Sequence, residues 1–171
     1  SVVAIVKGYS PVEMVYNALK MIKAEEVISI DDHVLVKPNY IDASHPSTGI
    51  TTDARVVEGV VKFLQERGIK SIVIGEGSGL SDTMHAFKVA GVDEVARRWN
   101  IKMVDLNKDE LVEVQVPNPL ALRKVKIAKT ALESRIVSVP KLKLHGTAGV
   151  TLSLKNMMGA VMPKGSIHNP L

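Results

Sequence analysis

The sequence contains no cysteine. That excludes disulfides, zinc fingers, cysteine-ligated iron–sulfur clusters and thiol nucleophiles within the chain. Aromatic residues are scarce at 4%, with one Trp, two Phe and three Tyr, too few for the stacking platforms that hold single-stranded nucleic acid. Nucleic acid is therefore not expected as a partner. Charges or prolines interrupt every apolar stretch well short of the roughly 18 residues a membrane span requires, so no membrane segment is expected. The opening Ser1-Val2-Val3-Ala4-Ile5-Val6-Lys7 lacks a basic n-region and a small-residue cleavage site, which argues against a signal peptide. With the missing cysteines, this fits a cytoplasmic protein. Also absent are a G-x-S-x-G nucleophile elbow, a Walker A lysine and an H-E-x-x-H pair. No repeat, low-complexity tract or linker divides the chain. The five histidines, His33, His45, His85, His145 and His168, have no close metal-ligand spacing, and no metal site is expected from them.

What is present suits a folded domain. The chain has 171 residues, 46% apolar and 23% charged, enough to bury a full core. Few glutamines and many Ile, Val, Lys and Glu lean toward a thermophilic source, against which the seven Met and seven Asn weigh. Net charge is +4, but unevenly spread: residues 123–171 hold nine Lys and Arg against Glu133 alone, whereas the first 122 residues hold thirteen basic against seventeen acidic residues. This asymmetry points the C-terminal third at something anionic, or else is a solvated lysine face.

Apolar strands alternate with amphipathic helices. Residues 2–6 read as a buried strand. Ser10, Pro11 and Glu13 form a capping box before Val12, Val15, Leu19 and Ile22 at helical spacing. Strands are expected at 34–36, 71–74, 101–105 and 135–139. Helices are expected from Asp53 to about Gly68, from a Ser81 cap to about Gly91, over 93–99, and over 149–162. Residues 112–116 and 125–128 pair as an antiparallel hairpin across Pro117-Asn118-Pro119. This predicts one α/β domain over 1–171, a mostly parallel sheet with helices on both faces.

In such sheets ligands bind beyond the carboxyl ends of the strands. There the sequence places Lys37-Pro38-Asn39, Gly75-Glu76-Gly77-Ser78-Gly79, Asp105, and Pro140-Lys141-Leu142-Lys143-Leu144-His145. Gly77, Ser78 and Gly79 could offer backbone amides to an anion, or form only a tight turn. Glu76 within that loop suits a hydroxyl, an amine, a metal or a lysine better than a phosphate. Thr51 and Thr52 precede Asp53 at a helix start, which fits plain capping or an anion at the helix end. Lys141, Lys143 and His145 alternate and in extended chain share a side, an anion clamp with an acid–base group. Ser153 and Asn156 are poor mid-helix residues, so Asn156, with Lys155, suggests a side-chain role or an irregular turn.

Five blocks in order, Val36–Asn39, Gly49–Asp53, Gly75–Gly79, Val139–His145 and Leu152–Asn156, resemble the domain-of-unknown-function family 362. The resemblance spans nearly the whole chain. It implies no settled reaction. It does imply a setting in anaerobic metabolism beside ferredoxin-type iron–sulfur modules, which a cysteine-free chain would meet only in a separate partner. Members of that family usually continue beyond the block matching Ile167-His168-Asn169-Pro170-Leu171, so the resemblance implies either a chain shortened there or a short member. The cofactor stays unknown. Two readings remain open. In the first, an anionic small molecule or cofactor binds at the sheet edge, held by Lys37, Lys141, Lys143 and Lys155, oriented by Asn39, Ser78 and Asn156, with Glu76, Asp53 or His145 to move a proton. In the second, a non-catalytic module docks an acidic or iron–sulfur redox partner through its basic third.

Overall fold

The structure is a computed structural model that describes residues 2–146 and 148–165. The block 167–171 and His168 lie outside the described residues. Four parallel strands form the central sheet: β1 (His33–Pro38), β2 (Ser71–Glu76), β3 (Lys102–Asp105) and β6 (Arg135–Val139), in the order β3-β2-β1-β6. A second, antiparallel sheet joins β4 (Leu111–Gln115), β5 (Lys124–Ala128) and β9 (Val161–Met162), and a ribbon pairs β7 (Lys143–His145) with β8 (Gly149–Thr151). The helices are α1 (Pro11–Met21), α2 (Ala54–Glu66), α3 (Thr83–Ala90), α4 (Val92–Arg98), α5 (Lys129–Leu132) and α6 (Ser153–Asn156), the last running into a 3-10 turn at Met157–Ala160.

Side-chain alternation sorts the core into two layers. Val34, Val36, Ile72 and Ile74 face α2, α3 and α4 and meet Val57, Val60, Val61, Phe63, Leu64 and Phe87. Leu35 and Val73 face the other way, onto Leu106, Ala128, Ala131 and Ala160, where α5, the β4–β5 hairpin and the 3-10 turn close the sheet. The local reasons are those read from the sequence. The Ser10 side chain accepts from Glu13 N with Pro11 at the first turn, and Asp53 caps α2 by accepting from Arg55 N. Gly68 and Gly91 follow helix ends at φ of 77° and 78°, where other residues are strained. Asp82 rather than Ser81 caps α3, and Ser81 Oγ instead accepts from Ala43 N. No described helix is long and apolar enough to cross a membrane.

Two expected elements differ. Residues 2–6 form no strand, and Val2, Val3 and Ile5 are exposed. A strand needs a partner, and the outer strands β3 and β6 do not pair with them. The helix expected over 149–162 is a single turn, α6. Its flanks leave as β8 and β9, the first paired with β7 in a local hairpin and the second with the distant β5.

The order β3-β2-β1-β6 reverses between β1 and β6, the switch point of this sheet. That crevice is laced shut. Thr52 Oγ1 donates to Val139 O at 2.8 Å and accepts from Asn39 N at 3.0 Å. Asn156 Nδ2 donates to Lys37 O and to Ser138 Oγ, both at 3.0 Å. We expect Thr52→Val to cost about 1–3 kcal/mol, because it strands a buried amide and a buried carbonyl together. Chemical denaturation with an unchanged slope and a lower midpoint would be the observed result; an unchanged midpoint would contradict it.

Candidate functional site

Beyond the carboxyl ends of β1 and β2 lies a cleft of about 380 Å³. Its floor comes from the chain leaving β1 and β2, and its cover from the β7–β8 ribbon and the turn after α6. At the base is a buried ion pair. Lys37 follows Leu35 on the same face of β1, a position that would ordinarily be apolar, and its side chain is 0% exposed. Its Nζ donates to Glu76 Oε1 at 2.6 Å, to Asn156 Oδ1 at 3.1 Å and to Pro38 O at 3.4 Å. Glu76 Oε1 also accepts from Gly77 N at 2.8 Å, and Oε2 from Tyr40 N at 3.1 Å. Burial pulls the Lys37 ammonium below the usual lysine range, and the Glu76 carboxylate opposes that shift. Burial, reinforced by Glu76 and Asp53, pushes the Tyr40 phenol well above its usual value.

Asn156 explains why a poor helix former stands in α6. Its oxygen serves Lys37 and Asn39 Nδ2, and its nitrogen the β1–β6 crevice, so all of its polar capacity is used inside the fold. Among the described residues, three buried atoms at this end of the sheet find no hydrogen-bond partner: Asn39 Oδ1, Tyr40 OH and Ser78 Oγ. Such groups are uncommon in a folded core.

The glycine loop works differently from an anion nest. Its amides are occupied, Gly77 N by Glu76, Ser78 N by Thr83 Oγ1 and Gly79 N by Ile41 O. Its carbonyls face a cation instead: Lys164 Nζ donates to Gly77 O and, at 3.0 Å, to Ser78 O, and also to Asn107 Oδ1. Gly77 must be a glycine because a Cβ there would overlap Gly159 O. Gly159 in turn lies directly over the ion pair, where a Cβ would overlap Glu76 Oε1 and come within 2.7 Å of Lys37 Nζ.

The structure gathers most of the residues singled out in the sequence. Asn39, Glu76, Gly77, Gly79, Lys143, His145, Lys155 and Asn156 line the cleft. Lys143 Nζ donates to Ile50 O at 2.6 Å, and burial holds its ammonium below the usual range against the pull of Asp42 and Glu76. Lys164 is lowered likewise, chiefly by burial. His145 Nδ1 accepts from Ala148 N at 3.1 Å, so the neutral ring carries its proton on Nε2.

Other residues stand apart. Lys37 lies beneath the cleft wall rather than in it. Thr51 Oγ1 donates to Ser44 O, and Thr52 belongs to the β1–β6 lacing. Asp53 caps α2 and grips Arg55 at 2.7 Å, a hydrogen bond that lowers its carboxyl pKa, with Lys141 adding a smaller pull. Lys141 does not line the cleft, and Ser78 is buried beside Thr83. Sequence reading overlooked Tyr40, Asp42, Thr151, Lys164 and Asn107 and gave Gly159 no role in a site. Asn107 follows β3 by two residues, so extending the strand-end rule would have found it; nothing local signals Lys164. Among the described residues, no group of three or more Asp, Glu or His gathers as metal ligands would.

The uneven charge is partly balanced in space. Lys124 pairs with Glu113, Lys129 with Glu110 and Arg135 with Asp32, each acid coming from the more acidic first part of the chain. The site end keeps the lysines of 141–164, with no acidic residue from 134 onward.

The family model described as a domain of unknown function, DUF362, matches residues 34–170. Among curated proteins, the thylakoid-associated protein sll1697 of Synechocystis sp. is 25% identical over 134 residues, covering 78% of this chain and 40% of that protein. The chain thus matches well under half the length of that relative. No solved structure matches significantly.

Proposed function

The chain belongs to the DUF362 family, whose description assigns no reaction; from its own residues we propose that it binds an anionic small molecule or cofactor in the cleft beyond β1 and β2. The observation that carries this reading is the pairing of a rigid, buried Lys37–Glu76–Asn156 base with Lys143, Lys155 and Lys164 on the walls above it. Lys37 then acts as a positioning residue that holds Glu76. Lys143 and Lys164 supply charge, already partly desolvated, so an anion gains more from them than from ammoniums in open water. His145, whose imidazole lines the cleft, is the acid–base group this reading assigns to a bound ligand. That assignment would make the protein an enzyme, in keeping with a role in anaerobic or redox metabolism. A cytoplasmic location and a thermophilic source belong to the same proposal.

We expect Lys143→Ala to weaken binding of a carboxylate or phosphate probe by about 10- to 100-fold, the range for losing a charged hydrogen bond. Titration calorimetry checks this, and undiminished affinity would remove Lys143 from the site. The pH dependence has a definite sign. An ammonium holds an anion only while protonated, and both Lys143 and Lys164 sit below the ordinary lysine value. Affinity therefore falls as pH rises through those lowered values, before exposed lysines lose charge.

A second reading rests on the exposed surface formed by the segment before β7 and by α6. Leu142 and Leu154 are 64% and 93% exposed beside Lys141 and Lys155. That apolar and basic surface suits docking of an acidic or iron–sulfur redox protein, without chemistry in this chain. Charge reversal at Lys141, which lies outside the cleft, would weaken such docking and leave small-anion binding at Lys143 intact.

A further inference from the structure

The walls of the cleft also bear on what the anion carries with it, an inference that rests on the binding reading above. Ile41, Leu80 and Leu144 stand around the mouth, and Ile50 and Met158 continue the apolar lining inward. Leu80 is 77% exposed and Leu144 93% exposed. An inorganic ion would use the lysines and leave these side chains in water. Large apolar groups bordering a pocket with a few convergent polar groups are what an organic ligand uses.

The charge of the ligand is limited from the opposite side. Asp42 and Glu76 line the same cleft as Lys143 and Lys164. Both lysines already donate to neutral carbonyl oxygens, Lys143 to Ile50 O and Lys164 to Gly77 O and Ser78 O. Lys37 already balances Glu76, and Asp42 offsets one of the three wall lysines, Lys143, Lys155 and Lys164, so the cleft keeps a modest positive excess that suits a small anionic head. Among the described residues, Tyr40 is the one Phe, Tyr or Trp in the lining, and its side chain is buried against Phe87, so a nucleobase has little to stack on besides the His145 ring. We propose that the ligand is an amphipathic carboxylate, its carboxylate at Lys143 and Lys164 and an aliphatic body running out between Ile41, Leu80 and Leu144.

A chain-length series tests this directly. Acetate, butyrate and octanoate, each as a potassium salt below any micelle-forming concentration, are titrated into the protein by calorimetry, with inorganic phosphate alongside. Each methylene that reaches the wall tightens binding by about three- to four-fold, so octanoate binds at least tenfold more tightly than butyrate. Leu80→Ser/Leu144→Ser changes only exposed positions, so the fold is retained. In that variant the octanoate advantage falls at least five-fold while butyrate is unaffected. Three results overturn the inference but leave the anion site standing: equal affinity along the series, phosphate binding more tightly than octanoate, or octanoate binding indifferent to the two leucines. If neither phosphate nor any carboxylate binds, this inference and the binding reading fall together.

Discussion

Glu76→Gln is expected to lower unfolding stability by about 3–5 kcal/mol, the range for removing one partner of a buried ion pair. The reason is what remains. Lys37 is fully buried, and its nearest acceptors besides Glu76 are the neutral Asn156 Oδ1 and Pro38 O. Glutamine keeps the shape and one acceptor oxygen but leaves an ammonium without its counter-charge. For a domain of ordinary stability, about 5–15 kcal/mol, this is a large part of the total. Lys37→Met in the same chain should restore more than half of the loss, since no charge is then buried. The pH response adds a readout that a packing defect would not give. Burial already holds the folded Lys37 ammonium below the usual lysine range, and loss of Glu76 removes the charge that opposes this. Between the lowered folded value and the unfolded one, the unfolded chain binds more protons, so stability rises with pH. The Glu76→Gln variant therefore recovers toward alkaline pH more than the parent does. Urea unfolding across pH measures all three, and a single variant as stable as its parent would mean the pair is not sealed from water.

The same pair shows how far the sequence could be read. Lys37 was legible as a strand-end residue, and Glu76 as the odd carboxylate in a glycine loop better suited to a lysine. That they meet was not legible, because the contact spans 39 positions and depends on the parallel register of β1 on β2. Strands β1, β2, β3 and β6 and helices α1 to α4 were readable because period, caps and terminal glycines agree locally. The β4–β5 hairpin was readable from its alternation and its proline turn. The failures share one cause. Apolar residues 2–6 look like a strand by content, but a strand is made by a neighbour, and none pairs with them. Residues 149–162 look helical by content, yet β7 and β5 claim their two ends. The glycines at 77 and 79 suggested exposed amides; Glu76, Thr83 and Ile41, none of them predictable as acceptors from spacing, take those donors. Lys164 could be recognised as part of the site only once the chain after β9 was seen folded over the loop.

Gly159→Ala is expected to be the most disruptive single-methyl change in the protein. Overpacking a well-filled site costs about 1–3 kcal/mol, and here the clash is with a carboxylate and an ammonium that cannot turn away without losing each other. A Cβ at 159 would overlap Glu76 Oε1 and crowd Lys37 Nζ, while Gly159 O already abuts Gly77. The relief available is to lift the Met157–Ala160 turn off the ion pair, which admits water to Lys37 and draws Met158 out of the cleft wall. Stability and anion affinity therefore fall together, whereas Lys143→Ala reduces affinity with far less loss of stability. Gly146→Ala, with open space around its Cβ position and no positive φ, is the matched control and should change neither. Thermal unfolding and probe binding measured on the two alanine variants separate the cases. A Gly159→Ala protein as stable as the Gly146→Ala control would mean that the turn does not seat on Glu76, and the buried base on which the binding proposal stands would lose its roof.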